Sequence, residues 1–304
     1  MANGLISIFV LPQEIDNLHL TLYNLRRNAE YLPDNVQYSF DITLCLSDEL
    51  TDWSNSTLPK EYFVDKFSSI VKLCNWTENS KFRIEVGSEI LGCVSQRRHT
   101  LKYVDDYDFT MWLDNDLFFG DKFLGYIGHA VNALNKENKD YYVITPQVTR
   151  QWDTSWDVLV NTKLLSRELN DNLKANVFTL GLQEMGPISL IPIRGFKAAG
   201  GWGTVISNKL LKLVGIPESL GHYGLEDTYV LTCANMLQES QKVDAIQVVV
   251  DNLLVCENHS GQDTTYLKRM VKGIDKKDYF RQIATQNFNK ELERFYNENI
   301  LQNK

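Results

Sequence analysis

The stretch "FTMWLDNDLFFG", residues 109–120, decides how this chain is read. A strand-forming apolar run breaks at Asp114-Asn115-Asp116 and resumes at Leu117. Two carboxylates one residue apart repel each other, and burying either without a partner costs on the order of several kcal/mol or shifts its pKa. A solvated turn would relieve that charge. Here, however, Met111, Trp112 and Leu113 on one side and Leu117, Phe118 and Phe119 on the other enclose the triplet in apolar residues. A positive group is expected to meet it.

Outward from the triplet, the first half alternates between strand and helix patterns. "LISIFVLP" (5–12) and "SFDITLCLS" (39–47) are β-rich, and the segment between them sets Ile15, Leu18, Leu22 and Leu25 at helical spacing, which makes one βαβ unit. A helix near 61–73, a strand over 81–87, a helix over 94–104 and a strand over 108–113 follow. The Asp-Asn-Asp triplet therefore lies at the carboxyl end of a strand, where ligands gather in open α/β sheets. A helix over 121–138 and a strand over 141–148 come next. The second half is less regular, with a polar helix over 162–176, a strand over 188–193, and Gly200, Gly201 and Gly203 around Trp202 before a helical run from Asn208. "HYGLEDTYVLTCANML" reads as a loop opening a helix with Glu226 and Asp227 in its first turn. "AIQVVVDNLLVCENHS" is strand-like and leads to His259, and 266–304 reads as amphipathic helix.

The 304 residues suit one large α/β domain (1–262) with a helical C-terminal extension (263–304) packed on it. No repeat, low-complexity linker or apolar stretch of about 20 residues interrupts the chain, and "MANGLISIFVLPQEIDNL" lacks the basic start and cleavage site of a signal peptide. A cytoplasmic, non-membrane protein is predicted. Its five widely spaced cysteines (45, 74, 93, 233 and 256) read as reduced core residues. Without a secretion signal, the N-x-[ST] matches at Asn55, Asn75 and Asn258 carry no weight. A net charge of −8 disfavours non-specific binding to nucleic acid.

Asp114 and Asp116 supply hard oxygen donors that suit Mg2+ or Mn2+, which take one or two carboxylates and leave substrate phosphates to complete the shell. Each further feature also has a plain structural explanation. His259, beside Glu257 and Asn258, is either a satisfied histidine or a third metal ligand. Gly200–Gly203 is a flexible turn, or a loop that lays the Trp202 ring and bare backbone N–H groups against a ligand. Glu226 and Asp227 would in any case favour the positive end of a helix dipole.

The order of these features resembles the GT-A fold glycosyltransferases, α/β proteins with a Rossmann-like mixed sheet flanked by helices, which use nucleotide-sugar donors. The resemblance covers roughly residues 5–259, and "GGWG…GLEDTYV" is similar to the corresponding region of β-galactosyltransferases and chondroitin-polymerase-type domains. It implies a D-x-D pair (Asp114, Asp116) and His259 holding Mn2+ or Mg2+, and a Gly-rich loop (Gly200–Gly203, with Trp202) beside the donor sugar. It also implies an x-E-D pair with Asp227 as general base and Glu226 orienting the acceptor. "SQRRHTLKY" looks like the Arg-bearing helix of these enzymes, with Arg97 and Arg98 as donor contacts. Topology puts the nucleobase near Pro12, Ser47 and Asp48.

The expected partners are a nucleotide sugar, most simply a UDP-sugar, and a carbohydrate or other hydroxyl acceptor. A modified nucleobase in DNA is a further acceptor class that the net charge disfavours. Two rivals use some of the same residues. A nucleotidyltransferase or other Mg2+-dependent phosphoryl-transfer enzyme would need the paired Asp, and a non-catalytic carbohydrate- or nucleotide-binding module would need only the aromatics.

Overall fold

The computed structural model describes residues 1–74, 80–87, 89–150, 187–193, 201–257, 272–273 and 276–301. β1 (Ala2–Val10), α1 (Ile15–Asn28) and β2 (Val36–Cys45) form the predicted βαβ unit, with the two strands parallel from Ala2 opposite Val36 to Val10 opposite Leu44. Leu5, Ile6, Ile8 and Val10 are all buried, as expected for a parallel strand covered on both faces. Ile15, Leu18, Leu22 and Leu25 form the buried stripe of α1.

α2 (Lys60–Cys74), β4 (Ser80–Glu85) and α3 (Cys93–Thr100) follow, and then β5 (Phe109–Leu113), whose five residues are all buried. A two-residue strand β3 (Thr51–Asp52) precedes α2. After the triplet come β6 (Leu117–Phe119), α4 (Phe123–Lys136), β7 (Tyr141–Arg150), β8 (Leu190–Ile193), β9 (Trp202–Ser207) and α5 (Asn208–Val214). α6 (Glu226–Ser240), β10 (Ala245–Glu257), β11 (Lys272–Gly273) and α7 (Lys277–Tyr296) complete the described elements. The helix predicted over 162–176 lies outside the described residues.

One mixed sheet runs in the order β4-β2-β1-β5-β9-β7-β10-β6, with β8 also on β10. β4, β2, β1 and β5 are mutually parallel, and β9 enters antiparallel between β5 and β7. Successive side chains of a strand point to opposite faces. Met111 and Leu113 accordingly join the core under α1, α2 and α4, while Trp112 joins the one under α5 and α6.

β9 corrects the reading of its segment as a glycine loop leading straight into a helix. Thr204, Val205 and Ile206 form a short β-branched run, and pairing with β5 and β7 buries it. The tail is not helical throughout, since Lys272–Gly273 pairs antiparallel with Asp52–Thr51. α7 is held to the body by Phe280, which packs with Leu11, Cys45, Leu50 and Leu91, and by Phe295, which joins the core of α5 and α6. Cys45, Cys93 and Cys233 are free thiols. No helix among the described residues is long and apolar enough to cross a membrane.

Candidate functional site

At the carboxyl end of β5 the triplet splits its side chains. Asn115 is buried (4% exposed), donating from Nδ2 to the Glu14 carbonyl (2.8 Å), while its own carbonyl accepts from Thr21 Oγ1 (3.1 Å). Asn115 is held toward the start of α1, and Asp114, Asn115 and Asp116 all line a cavity of about 380 Å3. The Asp114 N–H donates to the Gly201 carbonyl (2.7 Å), fixing the triplet against the start of β9.

Among the described residues, Arg97 on α3 brings a positive charge to Asp114. Its side chain is 7% exposed, ion-paired with Glu226 and with Asp114 (Nη2 to Oδ1, 2.9 Å), and its guanidinium carbon lies 5.0 Å from the centre of the Trp112 ring. Burial works against this charge, but Glu226 and Asp114 outweigh it and hold the guanidinium pKa above its usual value. Glu226 is pushed up to about 7, mainly by burial; Arg97 opposes the rise, and Asp227 and Asp114 add to it. One cation shared between two carboxylates, with a third alongside, cannot neutralise them all. Gly201 is required by this crowding, since a Cβ there would stand 1.9 Å from Asp114 Oδ1 and 2.2 Å from Arg97 Nη2.

The approach to α6 is equally constrained. Val94 N–H donates to the His222 carbonyl (3.1 Å), and a Cβ on Gly92 would meet that oxygen at 2.1 Å, so the loop before α6 is pinned to the start of α3. Gly224 (φ +93°) and Leu225 (φ +66°) then take left-handed conformations, uncommon for leucine and costing on the order of 1–3 kcal/mol. This turn delivers Glu226, 2% exposed, to Arg97 and leaves Asp227 half-buried at the cavity, where its Oδ1 accepts from Thr228 N–H (2.6 Å).

Asp114, Asp116, Arg97, Gly201, Trp202, Glu226 and Asp227 are thus brought to one cavity. Other predicted site residues stand elsewhere. Arg98 donates to the carbonyls of Ile216 (3.2 Å), Pro217 (2.8 Å) and Gly221 (2.9 Å), holding the loop ahead of α6. Gly203 (φ +78°) faces the Phe123 ring, which a Cβ would meet at 2.6 Å. Pro12 is buried in the turn after β1, and Asp48 is an exposed partner of Lys60 (2.6 Å); neither lines the cavity, although Leu11 and Glu14 do. Gly200 and His259 lie outside the described residues. The cavity also contains Tyr223 and Arg281, for which the sequence offered no motif. Two larger depressions, of about 730 and 780 Å3, open near Met1 and Pro33, away from the carboxyl end of β5.

The donor set fits a hard divalent cation. Among the described residues no three His, Cys, Asp or Glu side chains form a group that could hold a metal. Asp114 and Asp116 nevertheless offer the two carboxylates that Mg2+ or Mn2+ takes when substrate phosphates complete the shell. The register of β10 against β6 sets Glu257 opposite Leu117, the neighbour of Asp116.

No protein-family model and no curated protein matches the chain. Solved structures do. A crystal structure of GalNAc-T7 with UDP, GalNAc and Mn2+ superposes with a TM-score of 0.50 at 14% identity, covering 97% of this chain and 50% of that one. The fold is of the GT-A type. S. aureus TarS 1-349 (TM-score 0.43, 14% identity, 98% of this chain and 72% of that one) and the UTP-bound UGPase of Acinetobacter baumannii (0.39, 11%, 98% and 94%) resemble it more loosely and add nothing to that assignment.

Proposed function

We propose that this chain is a metal-dependent glycosyltransferase that moves a hexosyl or pentosyl group from a UDP- or GDP-sugar to an acceptor hydroxyl with inversion. The observation that carries the reading is the convergence of Asp114, Asp116, Trp202 and Asp227 on one cavity beside the end of β5. A GT-A fold solved with UDP, GalNAc and Mn2+ supports it.

Asp114 and Asp116 would hold Mn2+ or Mg2+, joined by His259, two residues beyond the Glu257 that pairs with Leu117. When bound, the cation neutralises charge gathering on the diphosphate. Asp227 takes the proton of the acceptor hydroxyl as its oxygen forms a bond to the anomeric carbon. On the opposite face the bond from that carbon to the diphosphate oxygen breaks, and the nucleoside diphosphate leaves with the electron pair. Trp202 and the Gly201 backbone border the sugar. Glu226 and Arg97 are positioning residues, because the buried guanidinium already shares its charge between Glu226 and Asp114.

The acceptor is a carbohydrate or another hydroxyl compound, with a nucleobase in DNA disfavoured by the net charge of −8. Residues 1–262 would form the catalytic domain and 263–304 its packed extension. A cytoplasmic location accords with the free thiols.

A panel of UDP- and GDP-sugars, incubated with the protein in Mn2+ or EDTA, tests the reading through nucleoside diphosphate release and sugar transfer. Release only with Mn2+ is expected. Pyrophosphate formation from a nucleoside triphosphate and a sugar phosphate would point to nucleotidyl transfer. Binding without turnover under all conditions would leave a carbohydrate- or nucleotide-binding module.

A further inference from the structure

We infer that Arg281, on the C-terminal helix, is a phosphate-binding residue of the cavity, contacting the diphosphate of the nucleotide. The inference rests on the glycosyltransferase reading, which supplies that diphosphate. Charge motivates it. The described residues lining the cavity include five carboxylates (Glu14, Asp114, Asp116, Glu226 and Asp227) and two guanidiniums (Arg97 and Arg281). Arg97 is buried and shared between Asp114 and Glu226, so it offers little to an arriving polyanion. Arg281 differs: its side chain is 59% exposed, and its ion pair with Asp278 is long, at 3.7 Å. A dianionic or trianionic ligand entering a mouth of carboxylates needs a cation there, and a guanidinium presents a planar fork that matches phosphate oxygens.

The surrounding structure fixes where that cation stands. Phe280, 6% exposed, packs with Leu11, Cys45, Leu50 and Leu91, and its ring meets that of His222 edge-on at 5.1 Å, so the backbone of Arg281 is anchored to the loop that delivers Glu226 and Asp227. The aliphatic stem of Arg281 lies over Gly224, with Cγ 3.5 Å and Nε 3.8 Å from where a Cβ would be. That glycine, at φ +93°, permits the turn against which the stem packs. The C-terminal extension therefore completes the substrate site.

The test is calorimetric binding of UDP and GDP, each against its uncharged nucleoside, in Mn2+, to the full chain and to Arg281→Ala, Arg281→Lys and Lys290→Ala. Lys290 is exposed on the same helix and controls for net charge. For the nucleoside diphosphate that wild type binds, Arg281→Ala is expected to raise Kd about tenfold or more, as for a hydrogen bond to a charged group. Nucleoside binding should be unchanged, Arg281→Lys should recover part of the loss, and Lys290→Ala should match wild type. Diphosphate affinity unchanged in Arg281→Ala, or an equal loss for the nucleoside, overturns the inference while the wider reading stands. A wild-type chain that binds neither diphosphate overturns both.

Discussion

Glu226→Gln isolates the electrostatic tension at the centre of the site. In the folded chain the Glu226 carboxyl ionises near pH 7 instead of 4.5, because burial and the nearby Asp227 and Asp114 outweigh the attraction of Arg97. The folded state therefore holds this proton more tightly than the unfolded state. Its contribution to stability is fully present below about pH 4.5 and is lost as pH rises through about 7. The gap of about 2.5 pH units, at about 1.4 kcal/mol each, amounts to about 3–4 kcal/mol in full. Against a typical domain stability of about 5–15 kcal/mol, a change of that size is readily measured.

Glutamine is nearly isosteric and does not titrate, so the difference in unfolding free energy between wild type and Glu226→Gln isolates the effect. Urea denaturation of metal-free, nucleotide-free protein across pH 4.5–7.5 should show the variant gaining on wild type by about 3 kcal/mol. A pH-independent difference would mean that the carboxyl is not raised. Wild type gaining on the variant with rising pH would mean that Arg97 prevails over burial, and the reasoning would fail.

Gly201→Ala forces a methyl against Asp114 and Arg97, which are bound to each other and cannot retreat independently; a loss of about 1–3 kcal/mol in urea denaturation is expected, and wild-type stability would refute the tight packing. Asp227→Asn keeps size but cannot take the acceptor proton, so kcat for transfer should fall by about 10²–10⁴-fold with donor affinity near wild type, and the wild-type product should show an inverted anomer by NMR. Transfer at the wild-type rate would remove Asp227 as the base. Asp116→Ala should abolish the Mn2+-dependent part of UDP binding in calorimetry while the fold persists by circular dichroism, and wild-type affinity that is equal in Mn2+ and EDTA would discard the metal.

The βαβ opening, the strand over 109–113 and the helix beginning at Glu226 were legible in the sequence because their signals are local. Helical spacing of Ile15, Leu18, Leu22 and Leu25, a continuous apolar run and an acidic first turn each lie within one element. The triplet at a strand end was legible for the same reason, since Leu113 to Asp114 is an abrupt local change in hydropathy. β9 was not. Its β-branched run is too short to carry a period, and it becomes a strand by bridging β5 and β7. Arg97 likewise finds its partners 17 and 129 residues away, and no pattern around "SQRRHT" distinguishes it from Arg98, whose guanidinium holds three loop carbonyls. Arg281 reaches the cavity because Phe280 docks α7 on the ends of β1 and β2. The sequence alone determined which segments are strands and helices wherever a period or an apolar run could form, and that two carboxylates stand at the carboxyl end of one strand. Tertiary structure decided which charges meet, because a buried ion pair depends on sheet order and helix docking across distant parts of the chain, and local patterning encodes neither.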